Sequence, residues 1–306
     1  RRRKNILNKS VILFGAGASY GSDKGIPLPV LGNDLFDALY KMQPNIFSNV
    51  NDKEKQILKQ DFELGIKMLS DDNPHMLPYI QRLMAKYFFQ FVPSESNLYF
   101  KLATELKKRK WYGSLITLNY DRLLQISFNA AYTNNSTESS KQFINLCLPH
   151  GICNLFCESV KGLAQNISFS GPNVTTNGPL IEINDENDFL KRVNEEAFPP
   201  VMCYFEPSKR TTSGAAFIDS QRIQYNCLIK EADRIAIIGL KLRDHDTHIW
   251  EPLKTSNADI LYVSGRQSGL EFENWCSEFR SEKNNEIMNS YFFDNFSKII
   301  EFLTEE

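Results

Sequence analysis

The sequence lacks the features that define several large classes of protein. None of its apolar runs approaches the roughly 20 residues that a membrane-spanning helix needs, and no signal-peptide pattern opens it. Its 6 cysteines include no C-x-x-C pair, so the spacing of a zinc ribbon is absent. A chain of this size does not need a disulfide framework. We therefore expect free thiols, no bound metal, no membrane attachment and a cytoplasmic location.

An excess of one charge is also missing. The 35 Lys and Arg residues nearly balance the 37 Asp and Glu residues, which leaves a net charge of −2. This balance does not indicate a strongly basic surface for binding a nucleic-acid duplex. The apolar fraction of 42% and the charged fraction of 24% are ordinary for globular proteins. Because 306 residues suffice to bury a large core, we expect one folded domain over residues 1–306.

Short apolar runs alternate with helical patterns along most of the chain. The first run, Val11–Phe14, is followed at once by Gly15-Ala16-Gly17. This alternation predicts an α/β fold with a Rossmann-like, mostly parallel sheet and helices on both faces. Further strands are predicted at 111–118, 144–148, 201–205, 235–238 and 260–263, and intervening helices at 123–128, 185–196 and 217–232.

Two helical regions and one polar stretch complete the predicted organisation. Residues 33–110 have helical periodicity throughout and are predicted to form an insertion between the first two strands, starting with a helix over 31–42 that Asn33 or Asp34 caps. Residues 268–305 are predicted to be mostly helical. The segment 165–178, rich in Gly, Asn and Thr, is predicted to be a loop.

Small and polar residues stand where the predicted strands end. Because the carboxyl ends of parallel strands meet at one edge of the sheet, these residues are predicted to converge on one ligand. The first loop alone is an incomplete dinucleotide fingerprint, since Tyr20 stands where a third glycine is expected. The five strand ends carry Gly15-Ala16-Gly17, Asn119-Tyr120-Asp121, His150-Gly151, Gly239 and Ser264-Gly265.

Taken in order, these segments resemble the sirtuin-like family over residues 10–265, apart from the helical insertion and the polar stretch. The resemblance implies a ligand, NAD+, which serves as substrate. The segments that carry it are Gly15-Ala16-Gly17-Ala18-Ser19, Gly25-Ile26-Pro27, Thr117-Leu118-Asn119-Tyr120-Asp121, Leu148-Pro149-His150-Gly151 and Ile237-Ile238-Gly239-Leu240-Lys241-Leu242.

The resemblance also implies roles for individual residues. The loop Gly15–Ser19, with Ala16 and Ser19 in particular, wraps the pyrophosphate and the nicotinamide ribose. Asn119 and Asp121 line the nicotinamide-ribose pocket, and His150 is the base that acts on that ribose. The remaining matches are Gly239 and Leu242 near the phosphates and ribose, and Ser264 near the adenosine half.

Those residue types agree with cleavage of a glycosidic bond. Breaking the bond between nicotinamide and ribose passes through an oxocarbenium-like centre. A neutral amide such as Asn119 can orient a water or a hydroxyl without adding charge. Histidine titrates near neutrality, so His150 can accept a proton during attack. Asp121 can orient a hydroxyl or stabilise positive charge, and a helix-capping role is also open for it.

The departures from the family pattern bear on the reaction. Sirtuins that deacylate proteins carry an Asp-Phe-Arg segment after Gly-Ile-Pro, where this chain has Leu28–Asp34. They also hold zinc with C-x-x-C pairs, whereas Cys153 and Cys157 are four residues apart, a spacing that suits one helical face. The segment Leu28–Asp34 instead resembles a divergent prokaryotic branch of the family, whose domains destroy NAD+ during antiphage defence.

The sequence therefore predicts an NAD+ hydrolase that releases nicotinamide and ADP-ribose as an antiphage effector. Unregulated loss of NAD+ kills a cell, so we expect a homo-oligomer or a regulatory partner such as an ATPase or a nucleic-acid-sensing protein. Two alternatives stay open: an NAD-dependent protein deacylase, and a non-catalytic module that binds NAD or ADP-ribose. Asp244–His248 is predicted to start a helix, with a metal site as the weaker interpretation; the charged segment 206–210 is predicted to be a lip over the site or a solvated turn.

Overall fold

A computed structural model describes residues 9–133, 145–158, 167–170, 173–195, 198–204, 209 and 211–305. Within these ranges strands occur at the first apolar run and at the predicted stretches 111–118, 144–148, 235–238 and 260–263, and five further strands occur where the sequence predicts none. The strands are β1 (Ser10–Phe14), β2 (Ser114–Thr117), β3 (Asn145–Cys147), β4 (Leu155–Cys157), β5 (Ile167–Ser170), β6 (Asn173–Thr176), β7 (Leu180–Glu182), β8 (Arg234–Ile238), β9 (Asp259–Val263) and β10 (Asn285–Met288).

Six of the strands form one parallel sheet in the order β3-β2-β1-β8-β9-β10. Every neighbouring pair in it is parallel. Counted along the chain, the strands take the positions 3-2-1-4-5-6, which is the order of a Rossmann fold. The predicted α/β class with a mostly parallel sheet is thereby confirmed. The order of the strands reverses between β1 and β8, where the two halves of the sheet meet.

The helices cover both faces of this sheet. Five of them, α2 to α6, lie between β1 and β2, where the sequence predicts a helical insertion. In the described ranges no helix has both the length and the apolarity needed to cross a membrane. The helices are α1 (Ala16–Tyr20), α2 (Gly32–Met42), α3 (Asp52–Gln60), α4 (Phe62–Asp72), α5 (Leu77–Phe89), α6 (Leu98–Lys108), α7 (Leu123–Thr133), α8 (Glu186–Glu195), α9 (Ala215–Glu231), α10 (Thr247–Thr255), α11 (Arg266–Phe279) and α12 (Phe296–Thr304).

Alternate residues of the central strands point into two separate apolar cores. Ile12 and Phe14 of β1 pack with the insertion helices and α12. Val11 and Leu13 pack on the opposite face with α9, α10 and α11. A strand in the middle of a parallel sheet is buried on both faces, which explains why β1 has no polar alternation. This burial fixes the position of the loop that follows β1.

Three sequence expectations are wrong for the middle of the chain. The polar stretch 165–178 contains an antiparallel hairpin, β5 with β6, because residues of high β-propensity such as Ile167, Phe169 and Val174 are interspersed among the polar ones. The stretch 201–205 is predicted to be a strand, but residues 201–204 form none. Met202 makes only one isolated bridge there, with Gly151. Residues 205–208 lie outside the described ranges. Cys153 and Cys157 share no helix, since Cys157 belongs to β4.

Two further corrections concern an unpredicted strand near the end of the chain and the first residues of α2. The stretch 268–305, predicted to be mostly helical, contains the strand β10. This edge strand is only half-buried and includes Asn285 and Glu286, so its sequence lacks the apolar run of the inner strands. Helix α2 begins at Gly32 after Leu31, with no side-chain cap, and Asp34 lies in its first turn.

Candidate functional site

A cavity of about 930 Å³ opens at the carboxyl ends of the parallel strands. Its volume is in the range of about 300–1,000 Å³ that is usual for ligand sites. Four strand spacings of about 4.8 Å separate the ends of β3 and β9, so the cavity extends about 19 Å along the sheet. The strand ends contribute Gly15, Ala16, Gly17, Asn119, His150, Gly239 and Ser264 to its lining.

The structure leaves four predicted site residues outside this lining. Ala18 and Ser19 are fully buried behind the β1 loop. Asp121 is buried at the start of α7. Leu242 packs against the apolar core on the α9–α11 face. The predicted residues that line the cavity are therefore Gly15, Ala16, Gly17, Asn119, His150, Gly239 and Ser264.

The β1 loop is held against the end of β8 by backbone contacts. The N–H groups of Gly15 and Gly17 donate to the carbonyls of Ile238 and Gly239 at 2.9 and 2.8 Å. Gly239 has a φ of +65°, and a Cβ there would lie 2.1 Å from the backbone nitrogen of Ala18. Only glycine fits that position. The two N–H groups are thus committed within the protein and are not directed at a ligand.

Asn119 connects the β1 loop to the end of β2. Its amide nitrogen Nδ2 donates to the carbonyl of Gly15 at 3.1 Å and to the hydroxyl of Ser19 at 2.9 Å. The Ser19 hydroxyl also hydrogen-bonds to the hydroxyl of Tyr99 at 3.0 Å. Both amide protons of Asn119 are therefore used within the protein, and its Oδ1 is the atom left to accept a hydrogen bond from a ligand.

Asp121 begins helix α7 from a fully buried position. Its carboxylate accepts a hydrogen bond from the backbone N–H of Leu123 at 3.0 Å. Burial raises the pKa of this carboxyl to about 6, although the hydrogen bonds from Leu123 and Ser19 act in the opposite direction. A carboxyl whose pKa is raised by folding destabilises the folded chain once it ionises.

We expect Asp121→Asn to increase the free energy of unfolding by about 1–3 kcal/mol at pH 8 and by much less near pH 4. Between these pH values the unfolded chain ionises its carboxyl before the folded chain does, so stability falls as pH rises. The asparagine Oδ1 keeps the bond to Leu123. Urea unfolding at both pH values measures the difference, with the exposed Asp37→Asn as control. An equal gain at both pH values would contradict the role of ionisation.

His150 faces a second histidine that sequence reasoning did not place in the site. The Nε2 atoms of His150 and His248 are 2.8 Å apart, and His150 is 4% exposed. Burial, together with the charge of Lys209 and the neighbouring His248, holds the pKa of His150 well below its ordinary value. Burial and the positive charges of Arg222 and Lys209 lower the pKa of His248 to about 4. Both rings are therefore neutral at pH 7.

A buried ion cluster lies at the same end of the cavity. Glu63 of the insertion helix α4 contacts Lys209 through one carboxylate oxygen. Its other oxygen accepts from Arg243 at 2.7 Å and from His245 at 2.8 Å. Burial alone would raise the pKa of Glu63, but the charges of Lys209 and Arg243 outweigh burial and lower it. The cluster joins the insertion to the segment before α10.

The sequence contains only weak signals for these additional residues. Glu63 adjoins the apolar positions of a predicted amphipathic helix, which is an unusual place for an unpaired carboxylate. Lys209 is the one described residue of the charged segment 206–210, and it is 3% exposed. Asp244–His248 leads into α10 at Thr247, as predicted. In the described part of the chain, no three His, Cys, Asp or Glu residues form a group that could hold a metal.

The sequence matches no protein-family model and no curated protein. Solved structures similar to this chain include Sir2 proteins. One is a variant of a Sir2 homologue in complex with ADP-ribose, at 12% identity and a TM-score of 0.49, with 96% of this chain and 91% of that chain covered. Another is Sir2 bound to an acetylated peptide, at 13% identity and a TM-score of 0.45, with 96% and 92% covered. The fold assignment rests on the strand order and pairing of this chain itself.

Proposed function

We propose that this chain is an NAD+ hydrolase that releases nicotinamide and ADP-ribose. The observation that carries the proposal is the cavity at the point where the strand order reverses, with Asn119 and His150 in its lining. Dinucleotides bind at this point in Rossmann folds. A length of about 19 Å accommodates an extended dinucleotide across β3 to β9. The resemblance of the strand-end segments to sirtuin-like proteins supports NAD+ as that dinucleotide.

Three exposed cations in the cavity lining support a ligand with a diphosphate. Lys24, Lys241 and Arg266 are exposed residues of the lining and do not belong to the Glu63 cluster. Since the N–H groups of Gly15 and Gly17 are committed to β8, we assign neutralisation of the diphosphate to these cations. The adenosine half then lies toward Ser264, and the nicotinamide half toward His150.

The nicotinamide end supplies what hydrolysis needs. Oδ1 of Asn119 accepts a hydrogen bond from the attacking water or from a ribose hydroxyl. The bond from ribose C1′ to nicotinamide breaks as the water oxygen bonds to C1′, and a neutral His150 takes up the water proton. Nicotinamide leaves as a neutral molecule. Because the pKa of His150 is lowered, it is unprotonated and ready to accept that proton at pH 7.

The cellular role that we propose is depletion of NAD+ in the cytoplasm during antiphage defence. It is supported by the resemblance of Leu28–Asp34 to the divergent prokaryotic branch. An activity of this kind requires restraint, so we also propose control by homo-oligomerisation or by a partner such as an ATPase or a nucleic-acid-sensing protein. Asp121 and Ser19 contribute from behind the loop, by holding Asn119 and α7 in place.

Incubation of the purified protein with NAD+ and measurement of released nicotinamide tests the proposal. We expect nicotinamide and ADP-ribose in equal amounts without an added peptide, since water is the acceptor. Release that depends on an acylated peptide would instead support a deacylase. Tight NAD+ binding without release in every assembly state, unchanged by His150→Ala, would support a non-catalytic binding module.

A further inference from the structure

We propose that Asp246 binds the carboxamide of the nicotinamide group and thereby selects NAD+ over its nicotinic-acid form, in which a carboxylate replaces that carboxamide. The inference rests on the function proposed above and names a residue that distinguishes substrates of the same reaction. Asp246 directly precedes α10 and lines the cavity together with His150 and Glu63. What carries the inference is its buried carboxylate, whose Oδ1 accepts no hydrogen bond from the described part of the chain.

The position of Asp246 in the chain predicts a different use for its side chain. An aspartate at the N-cap of a helix ordinarily accepts a hydrogen bond from a backbone N–H of the first turn. Asp246 is the N-cap residue of α10, but its side chain makes no such bond. Its backbone is fixed, because its N–H donates to the carbonyl of Arg243 at 3.1 Å and its carbonyl accepts from the N–H of Ile249 at 2.9 Å. The helix therefore holds Asp246 in place without using its carboxylate.

The neighbouring ion cluster does not supply the missing hydrogen bond. Nζ of Lys209 lies 3.9 Å from Oδ1 of Asp246, which is too far for a hydrogen bond, and the same Nζ contacts Glu63. Asp246 as a whole is 7% exposed. A buried carboxylate oxygen without a donor is costly. The lining of the cavity thus offers an acceptor to a ligand group that carries an N–H or O–H donor.

The carboxamide is the donor group of NAD+ that suits this acceptor. In the orientation proposed above, the nicotinamide half lies toward His150, and Oδ1 of Asn119 accepts from the attacking water or from a ribose hydroxyl. The carboxamide, with two N–H donors, is then the group at this end that remains without an assigned acceptor. A carboxylate here also favours the positively charged nicotinamide ring of NAD+.

The charges around Asp246 predict which dinucleotide the site rejects. Lys209 and Arg243 contribute two positive charges. Glu63 and Asp246 contribute two negative ones, and the group is balanced when His245 is neutral. The nicotinic-acid form would bring a further carboxylate next to that of Asp246, and such a pair of like charges is unfavourable. Asp246→Asn leaves an excess of positive charge and adds an N–H donor, so it should favour the acid form.

Calorimetric titrations of the parent protein and of Asp246→Asn with three ligands test this role. Two ligands are carbocyclic analogues of NAD+ and of its nicotinic-acid form, in which a methylene replaces the ribose ring oxygen. Neither is cleaved, because no oxocarbenium-like centre can form. The third ligand is ADP-ribose, which lacks the nicotinamide group. Burial raises the pKa of Asp246 while the charge of Lys209 opposes this rise, so the titrations are made at pH 8, where the carboxyl is ionised.

We expect the parent to bind the amide analogue at least about 30-fold more tightly than the acid analogue. Asp246→Asn should bind the amide analogue about 5- to 10-fold more weakly, since a neutral acceptor replaces a charged one. It should bind the acid analogue about 10-fold more tightly and ADP-ribose as the parent does. Asp244→Asn is the matched control, because Asp244 is exposed in the same segment and does not line the cavity. It should leave all three affinities unchanged.

Equal affinity of the parent for the two analogues would overturn the inference, and so would unchanged affinities in Asp246→Asn. An equal loss of affinity for ADP-ribose and for the amide analogue would mean that Asp246 binds the ribose or the phosphates, or that its role is only structural.

These titrations separate the inference from the proposed function, because none of the three ligands is consumed. Release of nicotinamide from NAD+ by a protein that binds both analogues equally would leave the hydrolase standing and remove the role of Asp246. Selective binding of the amide analogue by a protein that releases no nicotinamide would do the reverse. A protein that binds none of the three ligands would contradict both.

Discussion

Replacing His150 by alanine is expected to lower the rate of nicotinamide release from NAD+ by roughly 10²- to 10⁴-fold, the range that a positioned general base contributes. The neutral, buried ring is the group of the cavity lining best suited to accept the proton of an attacking water. Affinity for ADP-ribose should change little, because the diphosphate and adenosine contacts lie at other strand ends. Single-turnover kinetics and calorimetric titration with ADP-ribose measure the two quantities separately.

The exposed His75 provides the matched control, since it lies in the short turn Pro74–Met76 and does not line the cavity. His75→Ala should retain the parent rate. If His150→Ala also released nicotinamide at the rate of the parent protein, His150 would have no part in the mechanism. Replacing Asn119 by alanine is a less selective test of catalysis. The Nδ2 atom of Asn119 holds Gly15 and Ser19 in place, so its loss would also move the β1 loop.

Replacing Glu63 by alanine is expected to lower the free energy of unfolding by about 3–5 kcal/mol at pH 7, as breaking a buried ion pair does. Lys209 is 3% exposed, and without Glu63 it is left with the longer ion pair to Asp246, at 3.9 Å. The pKa of Glu63 is lowered, so its stabilising contribution is complete above the ordinary pKa of glutamate and is lost as pH falls through the lowered value. Urea unfolding at pH 7 and at pH 3 measures the difference, which should shrink in acid.

Two variants distinguish an ion-pair effect from a general loss of packing. Asp71→Ala removes the exposed pair with Lys67, whose oxygen and nitrogen are 3.3 Å apart, and should cost less than about 1 kcal/mol. The double variant Glu63→Met with Lys209→Met removes both buried charges and should be more stable than Glu63→Met alone. A double variant as unstable as the single one would show that charge burial is not the cause.

The sequence was informative about the sheet because its inner strands are buried on both faces. Continuous apolar runs such as Ile235–Ile238 have few alternative structures when a glycine follows at once. The same logic failed at Asn285–Met288, because an edge strand is half-buried and tolerates polar residues. It failed again at Val201–Cys203, an apolar segment that is buried beside α9 without pairing as a strand.

The site was predictable only where its residues follow strands. Asn119 and His150 stand at strand ends, so their convergence follows from parallel topology. His248 and Glu63 reach the same end of the cavity from helices, and His248 is 98 residues away from His150. No local pattern encodes contacts of that kind. They depend on how α4 and α10 pack on the sheet, which is a property of the assembled tertiary structure.

The central position of β1 has a consequence for synthesis of the chain on the ribosome. β1 pairs with β2 only after the insertion has been made, and Ser10 pairs with Arg234, more than 200 residues later. At about 5–20 residues per second, the most apolar strand of the sheet waits for about 10–40 s before its second neighbour exists. Contacts of such long range also slow folding. The nascent protein is therefore most exposed to aggregation before α9 and β8 emerge, and we expect its yield in cells to depend on chaperones that protect β1 during that interval.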